Sequence, residues 1–225
     1  MPDVSVLIPT CNRPEALAVT LAGLYYQDFD SFDVTLADQS DIPCDTPGTP
    51  VPTVLRMLRK RGIELAIHPN LPRRGMAQQR QFLLDRSRGR FSLFIDDDVI
   101  LEPYLISMLV RVLDEQGCGF AGCAVIGLSY VDDERPHEQA VEFFHGPVLP
   151  ERVTPDDAAW SRHRLHNAAN IWHVQQRYCA RPEQPLLYKV SWVGGCVLHD
   201  TAKLREVGGF GFWRELPVQH CGEDV

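Results

Sequence analysis

Apolar residues alternate between short continuous runs and helical stripes along the first half of the chain. Residues 4–8 form an apolar, β-rich run that ends at Pro9, which predicts a strand. A helix is expected to begin at Arg13 and Pro14, because proline is tolerated in a first turn and apolar side chains follow at helical spacing. The same reasoning predicts strands at residues 32–37, 63–67 and 91–95, and helices at 54–60, 75–86 and 103–116.

The order of these elements, βαβ(α)βαβα, determines the expected fold class. Strands that alternate with helices build a mainly parallel central sheet with helices on both faces, which is the α/β class. Ligands of such sheets bind at the carboxyl ends of the strands, so residues that directly follow strands are the functional candidates. The pattern is weaker in the second half, where we expect strands within residues 119–128 and 186–198 and a helix within 163–178.

Composition narrows the range of functions. The chain has 225 residues, of which 44% are hydrophobic and 23% charged, as in ordinary globular proteins. A formal net charge of −8 argues against a nucleic-acid partner, although Arg73, Arg74 and Arg80 form a local basic group. Seven scattered cysteines without a Cys-x-x-Cys pair favour reduced thiols and a cytoplasmic location. Since no signal peptide or apolar spanning segment is evident, any membrane association is expected to be peripheral.

Three aspartates directly follow the strand predicted at residues 91–95. Side chains alternate along an extended chain, so Asp96 and Asp98 should project to one side and Asp97 to the other. Two neighbouring carboxylates repel each other unless a cation lies between them. Mg²⁺ and Mn²⁺ take such oxygen ligands together with substrate phosphates. The triplet therefore predicts a divalent-metal site, and the alternative is a solvated acidic turn that stabilises the start of the next helix.

Two further segments carry candidate polar groups. Asp38 follows the second predicted strand, where its carboxylate could bind a ribose or a base, or could simply end the strand in a turn. Gly75 lies at the start of a predicted helix near the three arginines and could bring backbone and positive charge to a diphosphate. The alternative for this segment is a solvated basic face. The first loop lacks Gly-x-Gly-x-x-Gly, which disfavours binding of an NAD-type dinucleotide.

Six segments, in order and along nearly the whole chain, resemble the family 2 glycosyltransferases. They are residues 4–13, Ala37-Asp-Gln-Ser40, residues 70–80, Phe94-Ile-Asp-Asp-Asp98, Trp192-Val-Gly-Gly-Cys196 with Val207-Gly-Gly-Phe210, and Gly222-Glu-Asp-Val225. The resemblance implies a Rossmann-like GT-A fold in a single compact domain, and an inverting transferase that uses a nucleoside-diphosphate sugar. It also implies a donor-binding half, residues 1–98, and an acceptor-binding and catalytic half, residues 99–225.

The resemblance assigns roles to individual residues. Asp224 would be the general base, with Glu223 beside it in the acceptor pocket, and Asp98 would hold Mn²⁺ or Mg²⁺. UDP is the expected donor nucleotide, and a carbohydrate or lipid-linked molecule of the bacterial cell surface is the expected acceptor. The residues implied to bind the nucleotide sugar are Thr10, Arg13, Asp38, Arg80, Asp96, Asp97, Gly194 and Gly195.

The sequence departs from the family pattern at three points. Ala37 replaces an acidic residue of the second segment, and the glycine of the third segment is displaced to Gly75. The chain also ends one residue after Asp224, whereas the family normally continues with a further helix. A catalytic residue at a chain end would fray. We therefore expect a truncated chain that binds its donor but turns over poorly.

Two other functions stay open at the level of sequence. A metal-dependent sugar nucleotidyltransferase would also use a parallel sheet and an acidic metal site. It should, however, carry a glycine-rich phosphate loop after the first strand, where this chain has Pro9-Thr10-Cys11-Asn12. A degenerate transferase fold that binds a nucleotide sugar or a partner without catalysis is the non-enzymatic alternative.

Overall fold

The structure, a computed structural model, describes residues 1–127, 132–166, 168–179 and 185–217. The strands are β1 (Val4–Thr10), β2 (Phe32–Asp38), β3 (Glu64–Pro69), β4 (Phe91–Ile95), β5 (Phe120–Gly122) and β6 (Cys196–Asp200). The α-helices are α1 (Pro14–Tyr25), α2 (Val51–Lys60), α3 (Met76–Leu84), α4 (Leu105–Gln116), α5 (Ala168–Tyr178) and α6 (Thr201–Glu206). Short 3₁₀ helices lie at Pro136–Glu138, Ala158–His166 and Gly211–Glu215.

One sheet contains these strands in the order β3-β2-β1-β4-β6-β5. β1 pairs in parallel with both β2 and β4, and β2 pairs in parallel with β3, whereas β6 runs antiparallel to β4. The carboxyl ends of the four parallel strands consequently meet at one edge of the sheet. Thr10, the last residue of β1, lies directly opposite Asp38, the last residue of β2.

The interior strands β1, β2 and β4 are buried at every position. Because side chains alternate between the two faces of a strand, complete burial means that both faces of the sheet are covered there. Near-continuous apolar sequences, such as Val6-Leu7-Ile8, are typical of strands in this environment. The prediction of an α/β fold with a mainly parallel sheet and helices on both faces is confirmed.

The helices bury the stripes that their sequences predicted. α1 begins at Pro14 and buries Leu17, Leu21 and Leu24. α4 buries five apolar side chains and is followed by Gly117, whose φ of 61° is the left-handed conformation that glycine adopts at little cost. Local sequence signals therefore set both the buried face and the ends of these helices.

The second half of the chain differs from its predicted elements. The strand expected within residues 119–128 is limited to the three residues of β5, and the one expected within 186–198 begins only at Cys196. The helix expected within 163–178 is divided into the 3₁₀ helix Ala158–His166 and α5. β5 lies at the edge of the sheet, where short strands are common because one side has no neighbouring strand.

The chain packs as two units. The first contains residues 1–121 and the segment that begins at Gly195, and the second contains residues 122–194. In the second unit, the guanidinium of Arg162 lies 2.7 Å from carboxylate oxygens of both Glu142 and Glu151. The predicted division into a donor-binding half, residues 1–98, and an acceptor-binding half, residues 99–225, is a division by function. The packing units do not test it, so it stays a prediction.

Among the described residues, no helix is both long enough and apolar enough to cross a membrane. The six cysteines of the described residues are not paired in disulfides. Cys221 lies outside the described residues.

The turn before β4 leads to a prediction about stability. A Cβ atom on Gly89 would lie 2.6 Å from the backbone nitrogen of Ser5 and 2.7 Å from the carbonyl oxygen of Phe91. Because these atoms belong to the backbone of the sheet, Gly89→Ala should lower the free energy of unfolding by about 1–3 kcal/mol. Urea denaturation measures this loss, and Gly119→Ala is the control, since a Cβ there meets nothing closer than 4.0 Å. Equal stability of the two variants would contradict the prediction.

Candidate functional site

Asp97 joins the segment that follows β4 to the end of β1 and the residues directly after it. Its side chain is completely buried. One carboxylate oxygen accepts a 2.6 Å hydrogen bond from the hydroxyl of Thr10, and the other forms an ion pair with Arg13. A buried charge is costly unless it is paired and hydrogen-bonded. These two contacts therefore fix the two segments against each other at the carboxyl edge of the sheet.

The surroundings of Asp97 shift its protonation equilibrium. Burial raises the pKa of the Asp97 carboxyl above its ordinary value, and the negative charges of Asp98 and Asp96 act in the same direction. The hydrogen bond from Thr10 and the positive charge of Arg13 oppose this rise without cancelling it. Loss of either partner should therefore raise the pKa of Asp97 further.

Asp96 and Asp98 flank the buried aspartate and are both partly exposed, with 37% and 47% of their side-chain surfaces accessible. The exposure alternates as the sequence predicts, although Asp97 and Asp98 form a turn after β4 and not an extended segment. Asp98 accepts a 2.7 Å hydrogen bond from Nη1 of Arg13, while Nη2 of the same guanidinium contacts Asp97. Arg13 is itself 50% exposed. One arginine thus bridges a buried carboxylate and a solvent-facing one.

Arg80 extends from α3 to the same triplet. Its side chain is only 5% exposed, and its guanidinium lies 3.5 Å from a carboxylate oxygen of Asp96. The backbone N–H of Asp96 donates a 2.9 Å hydrogen bond to the carbonyl of Gly195, whose φ of 77° favours glycine. Gly194 precedes it and belongs to the second unit. The structure therefore brings together these predicted residues: Thr10, Arg13, Arg80, Asp96, Asp97, Asp98 and Gly195.

Asp38 shapes its own loop. One oxygen of its buried carboxylate accepts a 2.8 Å hydrogen bond from the backbone N–H of Ser40, and the other accepts one of 2.8 Å from the backbone N–H of Cys44. Burial, and then the nearby charge of Asp38, raise the pKa of the Cys44 thiol to about 12. The turn-forming alternative for Asp38 thus has a structural basis, and its contact with a ribose or base stays a prediction.

A clamp of three residues, Asn12, Asp41 and Arg73, was not identified from the sequence. Asn12 and Asp41 exchange two hydrogen bonds of 2.8 Å. Arg73, which we expected to offer charge to a diphosphate, donates to Asp41 at 2.6 Å and to the carbonyl of Gln39 at 2.7 Å. The clamp joins the loops that follow β1, β2 and β3. The one sequence signal for this clamp was Asn12 itself. Asparagine tolerates a positive φ, such as the 56° found there, and is therefore typical of a tight turn after a strand.

Gln79 is a second residue that sequence reasoning missed. It is buried on α3, and its side-chain amide donates to the carbonyl of Thr10 at 3.1 Å and to that of Ala37 at 2.6 Å. It thereby satisfies backbone groups at the ends of β1 and β2. A polar residue on the buried side of a helix, between Ala77 and Leu83, was the signal for this role.

The oxygen ligands at this edge of the sheet suit a divalent cation that is bound together with a nucleotide. The described residues contain no group of three His, Cys, Asp or Glu side chains that could hold a metal. A Mg²⁺ or Mn²⁺ ion that is bound with a nucleotide needs only one or two protein carboxylates, because phosphates and water supply the other ligands. Asp98, half-exposed at the carboxyl edge of the sheet, fits that requirement. Glu223 and Asp224 lie outside the described residues, so their roles stay predictions.

The sequence that forms this site matches one known protein family. Residues 5–163 match the family described as glycosyl transferase family 2. The mannosyltransferase PcManGT from Pyrobaculum calidifontis, solved in complex with GDP-Man and Mn²⁺, is 18% identical with a TM-score of 0.56, covering 99% of this chain and 50% of that chain. TarS from S. aureus is 21% identical with a TM-score of 0.46, covering 63% of this chain and 25% of that chain.

The structural likeness to PcManGT bears on the fold alone. The chain spans between a quarter and a half of the length of the two solved proteins. No curated protein sequence matches it.

The buried contact between Thr10 and Asp97 predicts a pH-dependent loss of stability. Thr10→Val should lower the free energy of unfolding at pH 7 by about 1–3 kcal/mol, because an ionised buried carboxylate loses its hydrogen bond. Asp97 has a native pKa above its unfolded value, so its charge opposes folding at high pH and ceases to do so on acidification. The stability that Thr10→Val loses should therefore become smaller as the pH falls through the raised pKa of Asp97 towards the ordinary pKa of an unfolded aspartate.

Urea denaturation at several pH values measures this effect. Thr35→Val is the matched control, since Thr35 is a buried threonine of β2 whose hydroxyl makes no hydrogen bond within the described residues. A loss of stability in Thr10→Val that is the same at every pH would count against an ionised Asp97.

Proposed function

The chain belongs to glycosyl transferase family 2, and we propose that it transfers a sugar from a nucleoside-diphosphate sugar to an acceptor hydroxyl, with inversion at the anomeric carbon. The observation that carries the proposal is the cluster of Asp96, Asp97 and Asp98 against Thr10 and Arg13. It lies at the carboxyl ends of adjacent parallel strands, which is where α/β sheets bind their ligands.

The arginines of this cluster suit the phosphates of a nucleotide, and its carboxylates suit the ribose hydroxyls. Arg13 is half-exposed and can donate to phosphate oxygens, whereas the deeply buried Arg80 supplies a fixed positive charge beside Asp96. Asp96 is partly exposed and can accept a hydrogen bond from a ribose hydroxyl. Thr10 and Asp38 would support the base and ribose mainly by holding the loops around them.

We assign Asp98 as the protein ligand of a Mn²⁺ or Mg²⁺ ion. When bound, such an ion neutralises the charge that develops on the departing nucleoside diphosphate. PcManGT, with which this chain shares its fold, was solved with Mn²⁺ and GDP-Man. Arg80 contributes to the same end without a metal, because a fixed, buried positive charge stabilises a developing negative one.

The acceptor hydroxyl is a poor nucleophile and needs a base. We propose that Asp224 takes its proton as the new glycosidic bond forms, with Glu223 shaping the acceptor pocket. The acceptor oxygen attacks the anomeric carbon on the face opposite the diphosphate, and the bond to the diphosphate breaks, which inverts the configuration. Gly194 and Gly195, which lack side chains, would allow the backbone to lie close to the donor sugar.

The acceptor and the cellular setting are also proposals. Residues 1–98 would bind the donor, since they include every proposed nucleotide contact other than the glycine pair, and residues 99–225 would bind the acceptor. The acceptor would be a carbohydrate or a lipid-linked molecule of bacterial cell-surface glycan synthesis. We place the reaction in the cytoplasm or at the inner face of the membrane, and UDP is the first donor nucleotide to test.

Calorimetric titration of nucleotides tests donor binding. UDP, dTDP and GDP are titrated with and without Mn²⁺, and one of them should bind in a metal-dependent manner. Asp98→Asn should weaken that binding by about tenfold or more, since a carboxylate ligand is lost. Asp114→Asn is the control, because Asp114 is an aspartate of α4 that forms an exposed pair with Arg90. Failure of all three nucleotides to bind would contradict the proposed donor site.

Replacement of Asp224 tests the proposed base. Asp224→Asn should lower kcat by about 10²–10⁴, because the amide cannot accept the proton of the acceptor hydroxyl. The affinity for the donor nucleotide should stay unchanged, and Glu223→Gln should lose far less activity. The rate of product formation is measured with a panel of glycan acceptors. An unaltered kcat in Asp224→Asn would exclude Asp224 as the base.

A further inference from the structure

Arg13 holds the carboxylate that the proposed function assigns to the metal. Nη1 donates to Asp98 at 2.7 Å, whereas Nη2 of the same guanidinium contacts Asp97. The two carboxylates differ in exposure, since Asp97 is completely buried and Asp98 is 47% exposed. Arg13 is therefore anchored on one side by a buried partner and faces an exchangeable partner on the other.

We propose that Arg13 acts as a gate for the metal site: it occupies Asp98 in the free protein and releases it when a donor diphosphate arrives. This inference rests on the proposed function, in which Asp98 is the metal ligand. It makes Arg13 a positioning residue that couples the binding of the metal to the binding of the nucleotide.

Electrostatics explains why the metal alone should bind poorly. A divalent cation at Asp98 would lie within a few ångströms of a guanidinium that carries a positive charge, and the two cations repel each other. The ion must also displace an existing hydrogen bond from Asp98. Both effects lower the affinity of the free protein for Mn²⁺.

A diphosphate removes both obstacles. Because Nη2 contacts Asp97, the planar guanidinium can pivot about that contact as a rigid unit, which moves Nη1 from Asp98 to a phosphate oxygen. Arg–phosphate hydrogen bonds are charge-assisted, so the exchange offers Arg13 a partner as strong as the one it leaves. Asp98 is then free to bind the metal, and the diphosphate offers the ion further oxygen ligands.

Titration of Mn²⁺ without nucleotide, followed by the electron paramagnetic resonance of the free ion, tests the gate. Arg13→Gln keeps a hydrogen-bond donor but removes the charge, and it should bind Mn²⁺ about tenfold more tightly than the unmodified protein. Arg90→Gln is the matched control, because Arg90 forms an exposed pair with Asp114 and immediately precedes the strand that the triplet follows. It should leave the affinity for Mn²⁺ unchanged.

A second variant guards against loss of folding. Arg13→Gln leaves the buried Asp97 without its cation, so the double variant Arg13→Gln, Asp97→Asn removes that charge while keeping Asp98. It should still bind Mn²⁺ more tightly than the unmodified protein, although by less than Arg13→Gln does, because a neighbouring negative charge is removed as well. In the unmodified protein, the nucleotide selected by calorimetry should raise Mn²⁺ affinity by more than it does in either variant.

The outcomes separate the gate from the proposed function. If Asp98→Asn leaves Mn²⁺ binding unchanged both with and without nucleotide, Asp98 is not the metal ligand and the proposed function is wrong at that point. If Asp98→Asn abolishes Mn²⁺ binding but both Arg13 variants bind Mn²⁺ no more tightly than the unmodified protein, Asp98 is the ligand and the gate is wrong.

Discussion

A fully buried aspartate must be held by partners, and that requirement organises the carboxyl edge of the sheet. An unpaired carboxylate at the depth of Asp97 would be costly. Its partners are Thr10, the last residue of β1, and Arg13, which follows that strand, so the segment after β4 cannot move independently of the end of β1. With Asp97 directed inwards, its two neighbours face solvent, where a ligand can reach them.

The other loops at this edge are also held by polar side chains, which here bond mainly to backbone groups. Asp38 accepts hydrogen bonds from two backbone N–H groups of its own loop, and Gln79 donates to one carbonyl near the end of each of two neighbouring strands. The clamp of Asn12, Asp41 and Arg73 adds a connection across three loops. A site built on such fixed loops loses little entropy when it orders around a ligand, which favours binding and correct orientation.

The sequence predicted the parts of the fold that depend on local periodicity. The burial of β1 and the stripe of α1 follow from residue spacing alone. Asp97 is buried between two exposed neighbours, as predicted, but the backbone there forms a turn and not the extended segment that the prediction assumed. The antiparallel direction of β6 could not be predicted, because an apolar run carries no information about its direction. The contact between Arg73 and Asp41 could not be predicted either, because the two residues are 32 positions apart in sequence and no pattern links them.

The balance of charge explains why the cluster suits two ligands better than one. Three carboxylates, Asp96, Asp97 and Asp98, face two arginines, Arg13 and Arg80, which leaves a formal charge of one negative unit when all are ionised. A divalent cation adds two positive units, and the diphosphate of a nucleotide sugar adds about two negative ones. Either ligand alone shifts the balance by two units, whereas both together restore it. Because uncompensated charge is most costly where burial is deepest, beside Asp97, simultaneous binding is the arrangement that this cluster favours.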